Sequence, residues 1–112
     1  MPEQSVPGKI TRPGEYKRVY GSGRRIVGRY LILFCSEPEK GLLRAGITVS
    51  GKVGGSVVRN REKRRIREAV RREITGVISP ADLVFVALGR IKTASFDELC
   101  TDMRSLILRA RL

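Results

Sequence analysis

The chain has no histidine and no tryptophan, only two cysteines, and eleven acidic residues in 112. Without histidine there is no Ser-His-Asp or Cys-His nucleophile, no imidazole general base and no imidazole metal ligand. Cys35 and Cys100 are too few for a four-cysteine zinc site and lack the C-x-x-C spacing of redox and metal motifs. Two isolated cysteines in a basic chain fit a reducing cytosol better than a secreted disulfide scaffold. Long apolar runs are also missing. The most apolar stretch, 26–35, is interrupted by Gly28, Arg29 and Tyr30 and is too short to span a bilayer. Met1-Pro2-Glu3-Gln4 shows no basic start followed by an apolar segment, so no signal peptide is read there. The expectation is a cytoplasmic protein.

What the chain does have is positive charge. Twenty-three Lys and Arg leave a net charge of +12. With 41% hydrophobic residues it reads as a globular chain, long enough for one modest core without cross-links. A single domain over 1–112 is expected, with 1–12 an irregular or mobile arm marked by Pro2, Pro7 and Gly8. An excess of this size calls for a polyanionic partner.

Pro13-Gly14-Glu15 opens a helix to about Tyr20, closed by Gly21-Ser22-Gly23, with Tyr16 and Tyr20 on one face at i and i+4. Arg29–Cys35 and Arg44–Ser50 read as strands joined by the turn at 37–41, and an antiparallel pair is the natural arrangement. In the second strand Ala45, Ile47 and Val49 face one way. Gly46, Thr48 and Ser50 make a small polar face opposite, open to close approach. After Gly54-Gly55, Ser56 is a plausible N-cap for a helix reaching about Ile74. The run Leu83–Leu88 suits a strand buried on both faces, and Asp82 before it fits a turn better than a metal site. Phe96, Leu99, Cys100, Met103, Leu106, Ile107 and Ala110 repeat at helical spacing behind a Ser95-x-x-Glu98 capping box. Asp97, Glu98 and Asp102 near its start suit the helix dipole and capping better than a metal site. Cys35 and Cys100 read as packing residues. The order α-β-β-α-β-α, with room for a further short strand near 26–28, is an α+β sandwich of helices on a small sheet.

Residues 59–72 hold eight basic side chains against Glu62 and Glu68, so half the net charge sits on one helix. Arg61, Arg64, Arg65, Arg67, Arg71 and Arg72 fall within an arc of roughly 160°, opposite Val58, Ile66, Ala69, Val70 and Ile74. Charge runs on helices are usually solvated faces held by pairs such as Glu68 with Arg72 or Arg64. Two acids cannot neutralise eight bases, and Arg61/Arg65 and Lys63/Arg67 repel at i,i+4. Nucleic acid is the better reading. A membrane-surface helix is disfavoured because the apolar arc is needed for the core, and no groove-reading pattern points to DNA.

The segment Val57-Val58-Arg59-Asn60-Arg61-x-Lys63-Arg64-x-x-Arg67-Glu68, preceded by Gly46-Ile47-Thr48-Val49-Ser50-x-Lys52-Val53-Gly54, resembles the signature of the bacterial ribonuclease P protein component. The resemblance spans roughly 11–110. It implies a small α/β sandwich with a left-handed βαβ crossover, an exception to the usual right hand. It also implies an accessory subunit of an endoribonuclease that removes the 5′ leader of precursor tRNA, with catalytic Mg²⁺ held chiefly by the RNA subunit and no catalytic residue on the protein. Its partners would be that RNA and precursor tRNA. Matching positions for RNA-subunit binding are Ser50, Lys52, Arg59, Asn60, Arg61, Lys63, Arg64 and Arg67. The leader cleft would be lined by Tyr16, Tyr20 and Phe34, in keeping with stacking of single-stranded bases on aromatic rings. Phe34 is equally open to ordinary core packing. Gly51 stands where the family commonly has Lys, and Tyr16 and Tyr20 where Phe is common. The alternative is a structural RNA-binding protein of ribosomal type with no processing role.

Overall fold

A computed structural model describes residues 8–112. Five strands, β1 (Gly8–Lys9), β2 (Arg24–Val27), β3 (Leu31–Ser36), β4 (Leu43–Thr48) and β5 (Ala81–Ala87), form one sheet in the order β1-β4-β5-β3-β2. Three helices flank it: α1 (Pro13–Ser22), α2 (Ser56–Glu73) and α3 (Phe96–Ala110), with a short 3₁₀ segment at Gly89–Thr93. The expected α+β sandwich is what the chain adopts, with the extra strand at Arg24–Val27.

The expected β3–β4 hairpin does not form. β5 lies between them, antiparallel to β3 (Leu33 opposite Phe85) and parallel to β4 (Ala45 opposite Leu83). The physical reason is β5's own composition. Leu83, Val84 and Phe85 are all fully buried, and a strand apolar on both faces gains most in the middle of a sheet covered on both sides. The β4–α2–β5 segment is therefore a βαβ unit with its two strands adjacent and parallel.

Alternation along the strands sorts side chains between two layers. Leu31, Leu33, Ala81, Leu83 and Phe85 point to the main core under α2 and α3, where they meet Ile66, Ala69, Leu99, Met103 and Leu106. Cys35 and Cys100 are buried free thiols in that core, pushed up in pKa by burial, as packing residues should be. The opposite face carries Val84 beneath α1, in a smaller cluster with Ile10 and Val19.

Part of the expected N-terminal arm is ordered. Gly8–Lys9 adds a parallel strand to the outer edge of β4, and Ile10 is buried, its N–H bonded to the Ala45 carbonyl at 3.1 Å. Residues 1–7 of that arm lie outside the described residues. α1 begins with Pro13 at its first position, and Glu15 accepts from the Arg12 and Thr11 N–H groups. The N-cap of α2 is Gly55, so Ser56 is already helical. The Ser95/Glu98 capping box closes reciprocally, at 3.1 and 2.8 Å.

Asp82 is not in a turn. It is the second residue of β5, fully buried, with Arg44 bidentate at 3.0 and 2.9 Å and Arg18 also bonded. Arg44 reaches on to Glu15 at 2.7 Å, so the network ties α1 to the sheet. Burial pushes the Asp82 carboxyl upward, but the Arg44 hydrogen bonds and the Arg44 and Arg18 charges outweigh it and leave it lowered. Asp102 has a role other than serving the helix dipole. Its carboxylate accepts from the N–H groups of Arg29 and Tyr30, both at 2.8 Å, and Leu31 at 3.1 Å, and so holds the β2–β3 turn. A Cβ at Gly28 would stand 2.7 Å from the same carboxylate, so that turn closes only over glycine.

Candidate nucleic-acid interface

Position along α2 alone does not decide which basic side chains are available. Arg65 lies within the outward arc, yet it folds back to Glu62 at 2.8 Å and to the carbonyls of Ile91 and Ala94. Glu62 is itself fully buried. The pair pins α2 to the 3₁₀ segment and so to the start of α3. Arg71 is engaged by Glu68 at 2.7 Å. Arg72 lies within 3.8 Å of Glu73 and Asp97, with its guanidinium 5.9 Å from the centre of the Phe96 ring. Arg65 is committed to the protein, whereas Arg71 and Arg72 stay about half exposed in surface pairs of small net strength.

Arg59, Lys63, Arg64 and Arg67 form no ion pair among the described residues, and Arg61 has only a 4.0 Å approach to Glu62. Arg61, Arg64, Arg67 and Asn60 are exposed, while Arg59 and Lys63 are half-buried. Asn60, Lys63, Arg64 and Arg67 surround a shallow concavity with Val57 at its edge. Ser50 and Lys52 stand exposed in the loop that leads from β4 to this helix, with the Lys52 N–H 3.3 Å from the Ser50 Oγ. A Cβ at residue 51 would stand 4.0 Å from the Arg59 guanidinium, an ordinary contact, so the backbone there has room for a side chain.

The three aromatic rings form a second, contiguous part. Tyr16 and Tyr20 have centroids 6.3 Å apart, and Tyr20 meets Phe34 edge-on at 4.9 Å. Their environments differ. The Tyr16 hydroxyl donates to the Ile10 carbonyl at 3.0 Å and accepts from the Ile47 N–H at 3.3 Å, stapling α1 to β4. Burial raises its pKa against the opposing effect of the Ile47 bond. Gly46 makes this possible, because a Cβ there would lie 2.8 Å from the Tyr16 hydroxyl and 2.9 Å from its ring. The small face foreseen on β4 is filled by Tyr16. Phe34 is half-buried against Val84 and Val19. Tyr20 is the open ring, 37% exposed, with its hydroxyl 2.7 Å from Thr48 Oγ1.

Lys63 joins the two parts. It faces the concavity on α2, a groove with Tyr16, Tyr20, Lys17 and Thr48, and a third groove of about 300 Å³ along β1 and β4. A basic helix face thus runs without a break into an aromatic groove.

A family model for ribonuclease P matches residues 6–111. The chain belongs to that family. The ribonuclease P protein component of Thermoanaerobacter sp. (strain X514) is 36% identical over 104 residues, covering 93% of this chain and 90% of that protein. The counterpart from Clostridioides difficile (strain 630) is 33% identical over 101 residues, 89% of each. Among solved structures, the ribonuclease P protein of Staphylococcus aureus superposes with a TM-score of 0.81 at 24% identity, covering 91% of this chain and 94% of that one. The Thermotoga maritima protein gives 0.79 at 20% identity, over 90% and 96%. These two likenesses establish the shared fold.

Within this ribonuclease P family fold, sequence reasoning missed two contributors to the interface. Thr48 was placed on the right strand face but not matched to Tyr20. Lys17 escaped notice because the helix was read through its aromatic face. Gly46 reads as a point of close approach, and what approaches it is the Tyr16 ring.

Proposed function

We propose that this chain is the accessory subunit that binds the RNA component of ribonuclease P through Ser50, Lys52 and the free face of α2, and grips the 5′ leader of precursor tRNA in the adjoining aromatic groove. The observation that carries this reading is the continuity of the two parts through Lys63. Unpaired arginine forks suit phosphate oxygens, which they meet bidentately, and phosphate contacts fix register without reading sequence. Tyr20 offers an exposed ring for stacking a leader base, which is worth about 1–3 kcal/mol per base. Tyr16 and Phe34 act one step back, holding Tyr20 and the groove wall in place.

Cleavage of the leader needs magnesium, and in this reading the RNA subunit holds it. Among the described residues no group of three or more Cys, Asp or Glu stands together to ligate a metal. Asp82 and Glu15 are spent on Arg44. The protein's contribution is to bind and orient substrate and to lower electrostatic repulsion between RNA segments. No helix among the described residues is long and apolar enough to cross a membrane, and the reading places the protein in the cytoplasm with its RNA partners.

Tyr20→Ala tests the groove. It should raise the apparent KM for leader-bearing precursor while leaving assembly with the RNA subunit intact. An equal loss on leaderless RNA would contradict leader binding at Tyr20.

A further inference from the structure

A second basic surface is assembled from segments far apart in the sequence, on the side of the sheet's β2 edge. Arg24 and Arg29 come from β2 and its turn, Arg90 from the 3₁₀ segment, and Arg109 and Arg111 from the end of α3. Contacts place them along one seam. Arg24 donates to the Ala110 carbonyl, Arg109 to the Val27 carbonyl at 3.0 Å, and Arg90 to the Arg29 carbonyl. All five are exposed, and none forms an ion pair among the described residues. Residues 24–29 and 104–112 contain no acid at all, and the neighbouring Arg104 is taken up by Glu73.

Attraction of cations to the C-terminal carbonyls of α3 explains Arg24. Arg29 and Arg90 lie at the other end of the seam, beside the Asp102-held turn, with Arg29 over the Tyr30 ring and Arg90 bonded to the Arg29 carbonyl. Glu98 feels the Arg29 charge but forms no pair with it. Each guanidinium has five donors, so the single carbonyl bonds of Arg24, Arg90 and Arg109 fix their planes and leave the remaining N–H groups to face outward, and Arg29 lies 5.1 Å over the centre of the Tyr30 ring. That is a set of forks, four of them held in place, with no ion pair among the described residues; carboxylates (Asp97, Glu98, Asp102) stand near the Arg29 end, and the Arg24–Arg109–Arg111 end has none in its own segments.

We infer that this β2–α3 edge is a second RNA-contact face, which takes the phosphate backbone of a segment other than the one on α2. α2 and α3 pack side by side on one face of the sheet, and the two basic faces point away from each other: α2 lies toward β4, whereas the second face lies at β2, three strand spacings or roughly 14 Å across the sheet. A single chain would then bridge two stretches of RNA backbone. RNA is favoured over an acidic protein because the donors are arginine forks alone, with no lysine among the five, and the family works on RNA.

The test uses the full chain and a short blunt RNA hairpin as probe. Stoichiometry is read by native mass spectrometry at low salt, and salt slopes by anisotropy. Wild type should hold two hairpins. Arg29→Gln/Arg109→Gln/Arg111→Gln should hold one and lose roughly two units of salt slope, three contacts at about 0.7–0.9 each. Arg64→Gln/Arg67→Gln should also hold one, with its loss additive to the other. A melting curve checks folding, and single Arg111→Gln, at an exposed helix end, serves if the triple variant is unstable. One hairpin on wild type, an unchanged slope in the edge variant, or equal competition by polyglutamate would overturn the inference. In each of those cases a slope loss in the α2 variant would leave the proposed function standing.

Discussion

Arg64 and Arg65 are neighbours with the same side chain, and the structure gives them opposite jobs. Arg64 is exposed and unpaired among the described residues. Arg65 is 16% exposed and bonded to buried Glu62 and two carbonyls. Five available cations on α2 (Arg59, Arg61, Lys63, Arg64 and Arg67) would give a slope of log K against log salt of roughly 3.5–4.5. Arg64→Ala should lower that slope by about 0.7–0.9, which between 50 and 200 mM salt is about a threefold contribution. Its stability should be unchanged. Arg65→Ala should leave the slope as it is and cost about 3–5 kcal/mol, because it strands the Glu62 carboxylate in the core. Glu62→Leu/Arg65→Met should recover much of that loss, since an apolar pair of similar volume replaces the ions. The assay is RNA-binding anisotropy at five salt concentrations, paired with thermal melts followed by circular dichroism. A reduced slope with a wild-type melt for Arg65→Ala would refute the reasoning, as would an unchanged slope for Arg64→Ala.

Three further outcomes follow from the packing. Arg44 and the Arg12 N–H hold the Glu15 carboxyl at about 2 instead of 4.5, and Asp82 is lowered too. Both pKa values are depressed by folding, so their stabilisation is full above about pH 4.5 and is lost as pH falls toward 2. Urea midpoints from pH 2 to 6 should show this, and a Glu15→Gln curve running parallel to wild type would contradict it. Gly46→Ala should destabilise by about 1–3 kcal/mol by driving Tyr16 out of its staple. Because both changes break the same contact, denaturant titration should find Gly46→Ala nearly neutral in a Tyr16→Ala background; full additivity would argue against the close approach. Asp102→Ala should cost about 3 kcal/mol for three charge-assisted bonds, and Asp102→Asn less, measured the same way; a neutral Asp102→Ala would remove the turn's proposed anchor.

Features that repeat locally were legible in the sequence. The α2 and α3 periodicities, the Ser95/Glu98 box and the doubly buried β5 run are all stated within a few consecutive residues. Strand partners are not. A short turn at 37–41 suggested that β3 and β4 pair, but a strand apolar on both faces needs a neighbour on each side, and β5 takes the place between them. Asp82 looked like a turn residue because its partners Arg44 and Arg18 lie 38 and 64 positions away. The α2 arc was readable as geometry, but not the withdrawal of Arg65, which depends on carbonyls from a 3₁₀ segment that leaves no periodic trace. Arg24, after Gly21-Ser22-Gly23, is readable as a candidate RNA contact, but its convergence with Arg90 and Arg109 is not, because three short segments meet only after the sheet is built. Tyr16 and Tyr20 share a helix face as their spacing requires, and only the fold separates the stapled ring from the open one.

The central claim is that the protein assists an RNA catalyst and contributes no catalytic group. It is tested most directly by cleavage of end-labelled precursor tRNA at low Mg²⁺, with protein alone, RNA subunit alone, and the two together. The account predicts a cut at the leader junction only when both are present. Cleavage by the protein alone, or no stimulation of a competent RNA subunit, would contradict it.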